Sequence, residues 1–145
     1  MKKPLFPDAT DIDADGLIER NMLVFRFGRE RFAIYALDVK NVALWSPPVP
    51  LPTQSPIVDG VLEQDGRLIA VLSHPLAAPP KRVPKNLSLL IVCETTSGHI
   101  GIPATTSKAV GPMTFHFESV AEENIPSSEG PLSLIDPHLL ANRIH

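Results

Sequence analysis

Proline sets the first limit on what this chain can become. Nine of its sixteen prolines fall between Pro47 and Pro84. Each proline inside a helix removes a hydrogen bond and collides with the preceding turn, so long helices are disfavoured there. The prolines do not sit in polar, repetitive sequence. They punctuate strongly apolar runs, and 43% of the 145 residues are hydrophobic. A chain of that composition buries a core rather than staying disordered. Short strands joined by proline-rich loops satisfy both facts, so a mainly all-β fold with one or two short helices is expected.

The apolar runs fit this reading. Met22 to Gly28 (MLVFRFG) alternates around Phe25 and Phe27, and the pattern resumes after a polar turn in Arg31 to Leu37 (RFAIYAL), which predicts a hairpin. The following LDVKNVALW keeps neither period cleanly and reads as a short helical turn bending into a strand. Ser46 to Pro56 carries five prolines and reads as an extended connection. Asp65-Gly66, between two apolar runs, marks a tight hairpin turn. Leu87 to Cys93 (LSLLIVC) is almost continuously apolar, the mark of a strand buried on both faces. Strands are expected near 22–28, 31–36, 57–63, 67–72, 87–94 and 99–104, with a further one over Met113 to Val120. Asp136 is placed to cap a closing helix with Pro137 in its first turn.

Little in the sequence points to chemistry. Thirteen Lys and Arg against sixteen Asp and Glu give a net charge of −3, which argues against a nucleic-acid partner. No apolar run is long enough to span a membrane, and no secretory signal opens the chain, so a soluble cytoplasmic protein is expected. A single cysteine, Cys93, excludes an internal disulfide. The five histidines lack metal-ligand spacing, and His116 and Cys93 stand in no catalytic arrangement. Asp59, Glu63 and Asp65 read as acids of a solvated turn. No enzyme, metal or cofactor is expected. Residues 1–20 carry five acids and read as a flexible acidic arm, leaving 21–145 as the domain.

The run from Phe32 to Leu72 resembles the CheW-like domain, the coupling adaptor of bacterial chemosensory arrays. That family shows a Phe/Tyr-Gly-Ile stretch, a Val-x-Glu-Ile element, and a hairpin of the form Ile-x-Gly-Val-x-Asn-Leu-Arg-Gly-x-Ile-x-Pro-x-x-Asp-Leu. Ile34, Val39, Val42, Gly60, Val61 and Gly66 fall in step with it, and Ile57 and Ile69 each lie one position from its isoleucines. Further on, Gly101 and Ile102 match the start of a Gly-Ile-Val-Val-Asp-x-Val segment, with Val110 three residues beyond its last valine, and PLSLIDPHLL resembles the closing Leu-Leu-Asp-x-x-x-Leu-Leu. The departures are Asn41 for the family's glutamate, Asp65 for its arginine, and Ala70 and Ser73 for its Pro and Asp. The span from Val110 to Leu132 is shorter than usual, which suggests a truncated second barrel.

The resemblance implies two small SH3-like β-barrels sharing a hydrophobic seam, with no catalysis and no cofactor. It implies a cytoplasmic protein at receptor arrays under the inner membrane. The partners implied are the cytoplasmic tip of a chemoreceptor (a methyl-accepting protein) and the regulatory domain of a histidine kinase. It places Val39, Ile57, Gly60 and Val61 at the receptor groove, and Asn41 and Asp65 near the coupling surfaces. The two substitutions there predict an adaptor that binds receptor and has lost ordinary kinase coupling. Gly60→Asp is expected to block binding and leave melting nearly intact. The competing reading is a small β-barrel sensor that holds an anionic small molecule or second messenger on the basic loop Lys81, Arg82 and Lys85.

Overall fold

A computed structural model describes residues 16–52, 56–79, 82–121 and 123–144. Most of the acidic arm, residues 1–15, lies outside these, as does Lys81 of the basic loop. Among the described residues ten strands are present: β1 Leu17–Phe27, β2 Glu30–Tyr35, β3 Asn41–Leu44, β4 Val58–Gln64, β5 Arg67–Leu72, β6 Leu89–Thr95, β7 Gly98–Ala104, β8 Thr106–His116, β9 Asn124–Ile125 and β10 Leu132–Ile135. Among the described residues the fold also has helices α1 Phe117–Ala121 and α2 Pro137–Arg143 and a 3-10 turn at Ala36–Asp38. β1 thus begins inside the span expected to be an arm. Helix α1 replaces the end of the strand expected over Met113 to Val120.

Local chemistry explains the connections. The two-residue turn between β4 and β5 holds Asp65 at φ 52° and Gly66 at φ 77°. Both central residues of a type I′ turn need positive φ, and Asp-Gly meets that need with little strain. Asp136 accepts a hydrogen bond from the His138 backbone N–H at 3.0 Å, and Pro137 opens α2 where its missing N–H costs nothing. Pro103 sits in β7 beyond Gly101, the last residue at which β5 pairs with that strand.

The strands form two five-stranded sheets, ordered β8-β1-β2-β10-β9 and β3-β6-β7-β5-β4. The first uses both ends of the chain and makes a terminal barrel; the second makes a central barrel. The span from Val110 to Leu132, where a truncated barrel was expected, falls in the terminal barrel, which has five strands like the central one, although β9 is only Asn124–Ile125.

Side-chain parity divides the interior into three cores. Ile18, Met22, Ala33, Tyr35, Phe115, Ile125, Leu132 and Leu134 fill the terminal barrel. Ile69, Val71, Leu90 and Val92 fill the central barrel, and a Cβ at Gly101 would approach Leu90 Cδ1 to 2.8 Å. Between them lies the seam. There Phe25, Phe27, Phe32 and Ile34 of one sheet meet Ile91, Cys93, Ile100 and Ile102 of the other, with Leu140 and Ala141 of α2. Successive residues on a strand face opposite ways, so β2 and β6 each feed two cores at once.

The loop after β5 ties the barrels together. The His74 ring packs edge-on to Phe27 at 4.9 Å between centroids and to Phe32 at 5.9 Å. Its Nδ1 accepts the Leu76 backbone N–H at 3.0 Å, which leaves Nε2 to donate to Glu30 Oε1 at 2.9 Å. Arg143 at the end of α2 donates to the carbonyl of Leu76 at 2.9 Å.

Two outcomes are expected. Phe25 is 1% exposed and stacks on Phe32 in the seam, so Phe25→Ala should cost about 3–5 kcal/mol by urea unfolding. Burial pushes the Tyr35 phenol up to about 12; Arg20 opposes this, and Asp38 and Asp136 add to it. Below its unfolded pKa, near 10, both states hold the proton. Above it only the unfolded chain loses the proton, so stability should fall by roughly 2–3 kcal/mol as pH climbs through the folded value, and Tyr35→Phe should lack that fall.

Candidate docking groove

Three connections meet at one end of the central barrel. The register pairs Asn41 with Val92, Glu94 with His99, and Ile69 with His99. The segment 36–40, the β4–β5 turn and the β6–β7 turn therefore emerge together. Two surface hollows flank this end. One, about 460 Å³, is lined by Leu37, Asp38, Val39, Lys40, Glu94, Thr95, Thr96 and His138. The other, about 320 Å³, is an open groove along the edge of the seam, walled by Leu51, Val58, Val61, Leu68, Ile100 and Ile144, with His99 and Gly98 at its rim. The β6–β7 turn contributes Thr95 and Thr96 to the first and Ser97 and Gly98 to the second, so one turn divides them.

The groove is apolar and open for a reason of strand parity. β5 points Ile69 and Val71 into the central barrel, which leaves Leu68 and Ala70 on the opposite face. Beside the β4–β5 turn Leu68 stays 68% exposed, and Ala70 is half-buried. Leu51 (43%) and Val49 (64%) extend the apolar surface along the proline-rich segment. A contiguous apolar surface of this kind is a candidate docking surface.

The groove residues expected from the sequence separate here. Val61 lines the groove, and Val39 lines the hollow on the other side of the β6–β7 turn. Ile57 is partly buried, and its carbonyl accepts the Ser73 N–H at 3.0 Å. Gly60 is buried and lies beneath the proline-rich segment, which is pinned to β4 by paired hydrogen bonds of 2.9 Å between Val49 and Val61. A Cβ on Gly60 would stand 2.2 Å from the Val49 carbonyl oxygen and 2.7 Å from its carbon. Gly60 therefore shapes the wall by admitting a close backbone crossing. Of the coupling positions, Asn41 opens β3 and Asp65 caps the β4–β5 hairpin, both at the shared barrel end, with no hydrogen bond or ion pair between them.

A polar cluster fills the space between those two positions. Lys40 Nζ lies 3.2 Å and Arg67 Nη1 3.4 Å from His99 Nε2. Glu94 Oε2 stands 4.0 Å from both Lys40 Nζ and His99 Nε2. Sequence reasoning missed this group because its members lie on four strands or their ends. The one local signal was the β6–β7 hairpin, whose Thr96-Ser97 turn puts Glu94 opposite His99. Among the described residues no group of histidine, cysteine and carboxylate side chains forms a metal site, and no helix is long and apolar enough to cross a membrane.

Comparison with known proteins adds two positive findings. Residues 21–110 match the CheW-like domain. The fold is similar to the crystal structure of the scaffolding protein TtCheW from Thermoanaerobacter tengcongensis, with a TM-score of 0.65 at 14% identity, over 85% of this chain and 92% of that one. Curated proteins yield no significant match.

Gly60→Ala should be destabilising because the collision is with backbone and cannot relax by a rotamer change. A loss of about 1–3 kcal/mol in urea unfolding is expected, against little change for Gly111→Ala, whose Cβ would meet nothing within 4 Å. This reverses the expectation that a side chain at Gly60 would spare the melting temperature.

Proposed function

Since the chain belongs to the CheW-like domain family, we propose that it is a non-catalytic adaptor of bacterial chemosensory signalling that binds the cytoplasmic tip of a chemoreceptor. The observation that carries this reading is the open apolar groove with Leu51, Val61 and Leu68 on its wall. A receptor tip is a hairpin of amphipathic helices, and such a helix binds by laying its apolar ridge into a groove of this kind. The docking surface belongs to a rigid framework: the groove floor is Ile100, a seam residue 2% exposed. Little ordering is then needed when a helix arrives.

Kinase coupling is the part of the family's role in which this chain departs. Asn41 and Asp65 occupy the barrel end at which the family carries a glutamate and an arginine. An arginine-to-aspartate change swings the local charge by two units, and a partner surface evolved for a cation would meet an anion instead. Like charges brought together at an interface commonly cost several kcal/mol. The protein is accordingly read as a one-sided adaptor, holding receptor without ordinary kinase coupling.

Binding of the purified protein to its cognate receptor tip and to the kinase regulatory domain, measured separately at physiological salt, tests both parts. Leu68→Asp should weaken receptor binding at least tenfold while leaving the melting temperature unchanged, because the side chain is already solvated in the free protein. Kinase binding at micromolar affinity or tighter would make this an ordinary coupling protein.

A further inference from the structure

The geometry points to a carboxylate site beside the groove: Lys40, Arg67 and His99 form a receptor for one acidic side chain on the helix that fills it. This inference rests on the adaptor reading above and specifies the chemistry of its partner. Two cationic side chains converge on His99 Nε2, at 3.2 and 3.4 Å. An imidazole nitrogen that accepts has a single lone pair in the ring plane, so it satisfies one donor well. The second cation is left with donors that have no strong acceptor. Lysine and arginine have no acceptor atoms of their own, and so the site lacks what an incoming oxygen would supply.

Charge leads to the same partner. Lys40 and Arg67 supply two positive charges, and Glu94 answers with one at 4.0 Å from Lys40. Among the described residues Arg67 makes no ion pair, and Asp65, two positions away on the same hairpin, does not reach it. A singly charged carboxylate brings the cluster to neutrality. A divalent metal ion would be repelled by both cations, and a dianionic phosphate would bring a second charge up against Glu94.

Position fixes the source. His99 lies on the rim of the apolar groove, while Lys40 and Glu94 lie in the neighbouring hollow. A helix seated against Val61 and Leu68 therefore passes the cluster along its flank. Its recognition face is an apolar ridge with one Asp or Glu beside it. Arginine suits that role, because its planar fork grips a carboxylate through two parallel hydrogen bonds.

The test is a double-mutant cycle between the full-length protein and the helical-hairpin tip of its cognate chemoreceptor. Arg67→Gln and Lys40→Gln are made on one side, and each acidic residue of the tip is changed in turn to its amide on the other. Arg67→Gln should weaken binding about tenfold and flatten its salt dependence. One receptor acid should lose the same factor when neutralised, and should lose nothing further against Arg67→Gln. Arg67→Lys should restore part of the affinity, and melting curves confirm that each variant is folded. If both glutamine variants bind within twofold of wild type while Leu68→Asp abolishes binding, the carboxylate site is wrong and the groove reading stands. If they weaken kinase binding and leave receptor binding alone, the cluster serves the kinase and the inference falls. If the unaltered protein fails to bind the receptor tip, the adaptor reading and this inference fail together.

Discussion

Burial of both faces of β2 and β6 is the constraint on which the rest of the structure depends. A strand in an ordinary two-layer fold presents one face to a core and the other to water. Here Phe32 and Ile34 enter the seam while Ala33 and Tyr35 enter the terminal barrel. Ile91 and Cys93 enter the seam while Leu90 and Val92 enter the central barrel. Each fully buried side chain of this size contributes about 1.5–3 kcal/mol of transfer free energy. Neither barrel could drop the seam without exposing a row of Phe and Ile. The two barrels are consequently one cooperative unit, and His74 and Arg143 add polar ties across the same junction.

That junction also decides where function can sit. The strands run out past the seam at the edge of the central barrel, and there the outward parity of β5 leaves Leu68 uncovered. At the adjacent barrel end, polar and charged residues close the top of a core whose last layer is Val92 and Ile69. The apolar groove and the Lys40–Arg67–His99 cluster thus share one origin, the place where sheet pairing stops. The proline-rich segment completes the wall, because chain that donates few hydrogen bonds can cross Gly60 closely and still be held by the single Val49–Val61 bridge.

Much of this was legible in the sequence, and for local reasons. The alternation of Met22 to Gly28, the Asp65-Gly66 turn, the uniformly apolar LSLLIVC and the Asp136-Pro137 helix start each state a conformation within a few residues. The order of the family landmarks then specified the two-barrel fold. The misreadings were also local in cause. Phe115, His116 and Phe117 alternate like a strand, yet the chain leaves the sheet at His116, where β1 comes to its first residue at Leu17 and pairing ends. No period in the sequence carries that information.

The candidate site was legible only in part. Val61, expected from its position in the family hairpin, stands on the wall of the apolar groove proposed for docking. Val39 came from the same reasoning and faces a different hollow, because the β6–β7 turn passes between them. Lys40, Arg67, Glu94 and His99 carry no shared motif. They become neighbours through the pairings of β6 with β7 and of β5 with β7, each set by contacts between residues far apart in the chain. The sequence by itself determined the strands, the tight turns and the two-sided burial, since period-two patterning and turn residues act over a few positions. Only the tertiary structure decided which side chains share the groove and why Gly60 must be glycine. Those depend on register and on one chain segment crossing another, and such distances are fixed between elements, not within them.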